Sequence, residues 1–365
     1  MNALLDRLDD QRLLRQVLRW LPAALAVLLL ALFPVFVTRP YPVGMGVVLF
    51  LAVLQGSAWN ILGGYAGQYS VGHAAYFGVG AYTAVMLLER LHLGPWFGLP
   101  AAMAAAVLVG LVIGGITFRL QGPYFVLASI AVAEIIRLAA LHFREFTRGA
   151  EGFVVSEAPR LQLFGLELSF GSKRSFYWLS LLLAAGAVWV SRAVLRSRTG
   201  HFLLAIREDQ DAAASLGIRL AVNKNVALAL SAALTALAGA VFAGYSRFID
   251  PNGVFSLTDV SVRMVLICLL GGIGTVQGPV IGAFLLVPLE EVLRSPRGLV
   301  TIGLASSDSP VIAFVTRWIS PAYLLVEGII IVVLILFLPE GVAGLLRRLR
   351  ARRPPPVPPA PAPVA

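Results

Sequence analysis

Charge is what this chain has least of. Only 13% of its 365 residues are Asp, Glu, Lys or Arg, against about a quarter in a soluble domain. An ordinary water-soluble globule is thereby excluded. Lysine is almost absent: Lys173 and Lys224 are the only two, and neither follows a glycine. That rules out the Gly-x-x-x-x-Gly-Lys-Ser/Thr phosphate loop, so any energy from ATP must come through another chain. The single cysteine, Cys268, lies in an apolar run, which excludes an intrachain disulfide and a cysteine metal cluster. The histidines, His73, His92, His142 and His201, are scattered over separate segments and form no metal-ligand set. No nucleophile has a neighbouring base, so no enzyme chemistry is expected. The net charge of +10 invites a nucleic-acid reading. Its basic residues, however, sit in short stretches between apolar runs, as membrane orientation requires, and nucleic acid is not an expected partner.

What is there is hydrophobic: 58% of the residues, with a mean hydropathy of +0.84. Apolar runs long enough to cross a bilayer recur from Leu21 to Leu338. They predict spans at Leu21–Thr38, Val43–Ile61, Val71–Leu88, Leu99–Phe118, Tyr124–Leu141, Phe176–Ser191, Asn225–Ser246, Val262–Thr275, Pro279–Leu293 and Pro321–Leu338. The fold class is therefore all-α, a polytopic membrane protein of about ten transmembrane helices. Residues 1–20 form a basic arm, 21–341 the transmembrane domain with a polar loop at 192–224, and 342–365 a tail. The tail is basic, then rich in proline, and should be an inert extended segment. The first run has no convincing small-residue cleavage site and more spans follow, so it reads as a retained helix.

Orientation follows from arginine. Arg7, Arg12, Arg15 and Arg19 precede the first span, and Arg347, Arg348, Arg350, Arg352 and Arg353 follow the last. The central loop holds Arg192, Arg196, Arg198, Arg207, Arg219 and Lys224. With six spans before that loop and four after it, all three clusters share one side. The positive-inside rule makes that side, and both termini, cytoplasmic. The loop Phe143–Ser175 runs against the rule, because it would lie outside while holding Arg144, Arg148, Arg160, Lys173 and Arg174.

The stretch Gly63–Gly78 interrupts this apolar chain with five glycines, Gln68 and His73. Lipid tolerates irregular backbone only where protein buries it or a cavity wets it. Such breaks mark the path of a polar solute. Gln68, Ser70, Gly72 and His73 are candidates to line or gate that path; the alternative is that they satisfy local backbone. Gly72, Ala74, Gly78 and Ala81 offer a small-residue face for close helix approach. A second glycine-rich break, Gly271-Gly272-Ile273-Gly274 with Gly278-Pro279, faintly echoes the first, and Gly274 and Gly278 join the candidate path. Glu134 and Arg137 stand at i, i+3 within a span. They read as a closed structural pair or as a contact for a zwitterionic solute. Glu290, Glu291 and Glu327 lie near helix ends and read as interfacial.

In the central loop Asp209 can cap a short helix over Ala212–Leu216, with Asp211 in its first turn. Gly217 can close it in a left-handed conformation. The stub would present Ala213 and a single knob, Leu216, between charges. At about two turns it is too short to hold itself and needs a partner surface; the alternative is a solvated loop helix.

Four ordered motifs carry a resemblance. They are Gly67-Gln68-x-Ser70-x-Gly72-His73-Ala74-Ala75; Gly122-x-Tyr124-Phe125 with Ala133-Glu134-Ile135-Ile136-Arg137; Ala205-Ile206-Arg207-Glu208-Asp209 with Ala212-Ala213 and Leu216-Gly217-Ile218; and Leu270-Gly271-Gly272-Ile273-Gly274 with Gly278-Pro279 and Gly282-Ala283. From about Val47 to Gly341 the chain resembles the M-type permease subunits of bacterial ABC importers for branched-chain amino acids. The resemblance implies a bacterial inner-membrane protein working by alternating access within membrane lipid. It implies a second permease, two cytoplasmic ATPases and a periplasmic solute-binding protein as partners. This chain would bind no cofactor, ATP and Mg being held by the ATPases. It also makes Arg207, Glu208, Asp209, Asp211, Ala213, Leu216 and Gly217 the segment that docks on an ATPase. Permeases for urea or short-chain amides resemble the chain too. An ion-coupled secondary transporter is the rival from another class, with Glu134 its one candidate ion site.

Overall fold

A computed structural model describes residues 25–37, 39–155, 160–163, 166–169, 172–295, 314–338 and 340–351. The arm at 1–20 and the proline-rich end of the tail lie outside the described residues. In chain order the helices are α1 (Leu25–Phe36), α2 (Pro40–Trp59), α3 (His73–Leu91), α4 (Pro95–Thr117), α5 (Pro123–His142) and α6 (Arg144–Thr147). Next come α7 (Lys173–Arg196), α8 (Arg198–Glu208), α9 (Gln210–Ser215), α10 (Leu220–Ser246), α11 (Pro251–Val254) and α12 (Arg263–Gly271). The last three are α13 (Gly278–Arg294), α14 (Tyr323–Phe337) and α15 (Gly341–Ala351). Three π-helical turns extend this framework among the described residues: Asn60–Tyr65 prolongs α2, Leu257–Val262 leads into α12, and Val315–Ile319 precedes α14.

Six of these stretches are long and apolar enough to cross a bilayer: Pro40–Tyr65, Phe97–Thr117, Pro123–His142, Lys173–Arg196, Leu220–Ser246 and Pro251–Gly271. Helices also form at the other expected spans, as α1, α3, α13 and α14, whose described residues fall short of that standard in length or hydropathy. The eighth span ends at Gly271, four residues earlier than hydropathy suggests, because Gly272 takes a φ of 121° that no helix continues.

The core is built on α2 and α10, which bury most of their surface. Alanine and glycine let these helices approach closely. A Cβ added at Gly80 of α3 would meet the backbone of Ala236 in α10, and one at Gly239 of α10 would meet the Phe77 carbonyl of α3. Of the small residues expected to allow close approach, Ala81 lies at this crossing, its amide 3.2 Å from a Cβ added at Gly239. Gly72 instead faces the Ser129 carbonyl of α5, and Gly78 faces the Phe255 ring.

The contacts sort the two ends of the bundle. At one end lie α8, α9 and both glycine breaks. At the other, Arg90 of α3 donates to the carbonyls of Glu145 and Phe146, 2.6 and 2.9 Å away. There also β1 (Phe153–Val154) pairs antiparallel with β4 (Phe248–Ile249), while β2 (Arg160–Leu163) and β3 (Leu166–Ser169) form a hairpin. The basic loop after α5 thus stands opposite α8 and α9, as six spans before the central loop require.

Candidate translocation and coupling site

The first break begins where α2 loosens into its π-helical turn, a device common at functional sites. All of Asn60–Tyr65 is buried, so every polar group there needs a partner. Several partners here and in the following residues can be named. The indole nitrogen of Trp59 donates to the Ser70 carbonyl at 2.7 Å, and the Leu62 carbonyl accepts from the Gln68 amide at 3.2 Å. The amide of Val71 donates to Ser129 Oγ at 3.0 Å, and that of Gly72 to Ser70 Oγ at 3.2 Å. Gln68 turns back to the Ala66 carbonyl at 3.3 Å. Tyr65 and Ser191 hydroxyls meet at 2.6 Å, tying the break to the end of α7.

His73 opens α3 and is fully buried. Its Nε2 lies 2.8 Å from Ser231 Oγ, which donates its own proton to the Ala58 carbonyl at 2.7 Å. Ser231 has one proton to give, so His73 Nε2 must be the donor and the ring carries its hydrogen there. Nδ1 is buried without a hydrogen-bond partner. The ring therefore stitches α3 to α10 and α2. Ser70 and Gly72 border a cavity of about 10 Å³ with Tyr76, Thr117, Phe125 and Ser129. That is close to the minimum for one water, and Gln68, Ser70, Gly72 and His73 are all buried.

The second break abuts the first. The Asn60 side chain bridges them: its Oδ1 accepts from the Gly274 amide at 2.8 Å, and its Nδ2 donates to the Thr275 carbonyl at 3.0 Å. A side-chain amide thus replaces a strand of backbone pairing between two segments that hydropathy alone leaves unrelated. Within the second break Thr275 Oγ1 donates to the Gly272 carbonyl and accepts from the Gly278 amide, both at 2.9 Å.

Arg207 joins this junction from α8. Its Nη1 donates to the Gly64 carbonyl at 2.9 Å, satisfying one of the carbonyls left open where α2 ends. Room for it comes from glycines of both breaks. A Cβ on Gly67 would stand 3.1 Å from Arg207 Cγ, and one on Gly274, whose φ is +75°, would strike Nη1. Gly274 thus admits Arg207.

The loop helix is longer than the sequence suggested. An 11-residue helix, α8, precedes the stub, capped by Ser197 and burying Leu203 and Ile206. Asp209 then breaks and restarts the helix, its Oδ1 accepting from the amides of Asp211 and Ala212 at 2.8 and 2.9 Å. At the far end the Ile218 amide bonds to the Ala213 carbonyl and the Gly217 amide to that of Ala214, with Gly217 at φ +83°. This is the paired closure expected of a left-handed glycine cap. The presented surface differs from expectation in one residue. Ala213 is buried, because it shares the inner face with Gln210, whose Oε1 accepts from Lys224 Nζ of α10 at 2.8 Å. Arg207, Glu208, Asp209, Asp211, Leu216 and Gly217 are exposed, and Leu216 stands out at 82%.

Glu134 and Arg137 form the closed pair. Arg137 Nε lies 2.9 Å from Glu134 Oε2, Nη2 lies 2.5 Å from Oε1, and Nη1 donates to Asn252 at 2.6 Å. Glu290 pairs with Arg263, and Glu291 accepts from the Tyr41 hydroxyl at 2.5 Å. The Glu327 side chain lies outside the described residues.

Six apolar helices long enough to cross a bilayer, packed around two hydrogen-bonded glycine breaks, make this a polytopic membrane protein. Residues 41–338 match the family described as "Branched-chain amino acid transport system / permease component", and the chain belongs to that family. It is 31% identical over 292 residues to the high-affinity branched-chain amino acid transport system permease protein LivM of Escherichia coli K12, covering 73% of this chain and 68% of that one. Its counterpart in Salmonella typhimurium is 30% identical over the same shares. The autoinducer 2 import system permease protein LsrC of Escherichia coli O157:H7 is 28% identical, over 75% of this chain and 79% of that protein.

Proposed function

We propose that this chain is the permease subunit through which an ATP-driven importer passes branched-chain, or other hydrophobic neutral, amino acids into the cytoplasm. It resides in the bacterial inner membrane with both termini and α8–α9 inside. It pairs with a second permease, and two ATPases holding ATP and Mg dock on the pair. A periplasmic binding protein delivers the solute. The observation that carries this reading is Leu216: a leucine 82% exposed at the tip of a doubly capped stub between charges. A helix so short is not stable by itself, and a lone exposed leucine there suits a groove on a partner. The amino-acid assignment rests on the 31% and 30% identical relatives; the autoinducer 2 relative marks how widely solutes vary in this architecture.

The test is Leu216→Asp in the reconstituted complex. ATPase co-purification should fall by about tenfold or more, in the range of one anchor residue, and ATP-driven leucine uptake should be lost. Wild-type docking and uptake with the aspartate would refute the reading.

A further inference from the structure

We infer that Arg207 does not dock the ATPase but carries its stroke to the gate, as the positioning residue that holds the two glycine breaks together. The inference rests on the reading of α8–α9 as the coupling segment. Three observations lead to it. Arg207 is an exposed residue, yet its Nη1 donates to the Gly64 carbonyl at 2.9 Å. A Cβ on Gly274 of the second break would collide with Nη1, and one on Gly67 of the first would crowd the Arg207 stem at 3.1 Å from Cγ. Asn60, four residues before Gly64, joins the same two segments through Gly274 and Thr275 at 2.8 and 3.0 Å.

The rest of the α8–α9 unit is tied elsewhere. Lys224, only 2% exposed, holds Gln210 of α9 to the buried helix α10 at 2.8 Å. The unit is therefore tied to the core through Gln210 and to the breaks through the charged side chain of Arg207. Gly64 lies in a π-helical turn, and such a turn has a discrete α-helical alternative one residue out of step. A packed element with two arrangements converts a small displacement into a switch. When α8 shifts, the Gly64 carbonyl either keeps the guanidinium or gives it up, and the Gly64–Gly274 contact closes or parts with it. The glycines of both breaks are in this view the sleeve of an arginine as much as the wall of a path.

The experiment uses the full complex of both permeases, ATPases and binding protein in lipid vesicles. Leucine uptake, ATP hydrolysis and ATPase retention are measured for Arg207→Gln and Arg207→Lys. Amide exchange is followed over residues 60–70, 272–278 and 198–218, with and without trapped Mg·ATP. Arg207→Gln should keep its ATPases and hydrolyse ATP, yet move about tenfold less leucine per ATP. Arg207→Lys, which keeps the charge but not the fork, should fall between. In the wild type trapping should alter exchange in all three segments. In Arg207→Gln it should alter 198–218 alone, a change that mere loss of stability would not produce. Wild-type leucine per ATP in Arg207→Gln, or loss of its ATPases, overturns the inference while leaving the coupling reading standing. No response of 198–218 to nucleotide in the wild type overturns both.

Discussion

One hydroxyl proton decides what can stand at position 73. Ser231 gives its proton to Ala58, so the residue facing it must donate at the position of Nε2. Glutamine can donate there and alanine cannot. His73→Ala should lower stability by about 1–3 kcal/mol, the cost of orphaning buried polar groups, and His73→Gln by clearly less. Thermal unfolding in one detergent measures both. The ion pair of α5 gives a second expectation. With the Arg137 and Glu134 side chains 23% and 37% exposed, solvent discounts their attraction to about 1 kcal/mol or less. A double-mutant cycle on Glu134→Gln and Arg137→Gln should return a coupling of that size, with the double variant recovering much of the lost uptake. A double variant as inactive as each single one would favour direct contact with solute. At this scale the sequence is legible where chemistry is local: Asp209 as cap and Gly217 as left-handed closure follow from residue type and spacing. Arg207 is not, since its partner Gly64 lies 143 residues away and nothing in a helical repeat announces it.

The elements depend on close backbone approach. Gly217→Ala should cost about 1–2 kcal/mol at the end of α9, because its φ of +83° is strained for any Cβ. The consequence should be faster amide exchange over 210–218, with the membrane core unchanged. Gly80→Val sets the opposite case. Its side chain would run into the backbone of Ala236, and overpacking of that kind costs about 1–3 kcal/mol or more. Loss of the α3–α10 crossing should appear as a lower unfolding temperature and poor membrane yield. Hydropathy locates both helices to within a few residues, yet it cannot say which small residue meets which neighbour. Gly80 and Gly239 escaped notice for that reason. So did α8, whose polar face hides it from any search for spans, although Ser197, Leu203 and Ile206 carry its cap and buried face.

Across the whole molecule, burial separates a core from a rim. α2 and α10 are enclosed, while α4, α5 and α7 leave Leu108, Val112, Ile116, Leu127, Leu182 and Trp189 exposed. Such a rim suits lipid and a second permease. The overall plan was readable because long apolar runs and arginine clusters have few alternatives. The junction of the two breaks was not, since their glycines are an echo in sequence and a contact only in space. Hydrogen bonds from Asn60 and Arg207 make that contact, and both breaks lie at the end of the bundle where α8 and α9 sit.

Under the proposed function the chain receives its stroke and does not generate it. The direct measurement is accumulation of labelled leucine in vesicles holding this chain alone, under an imposed proton or sodium gradient, beside vesicles holding the complete complex with ATP. Accumulation only in the second is the predicted result. Strong accumulation by the lone chain on a gradient would contradict it.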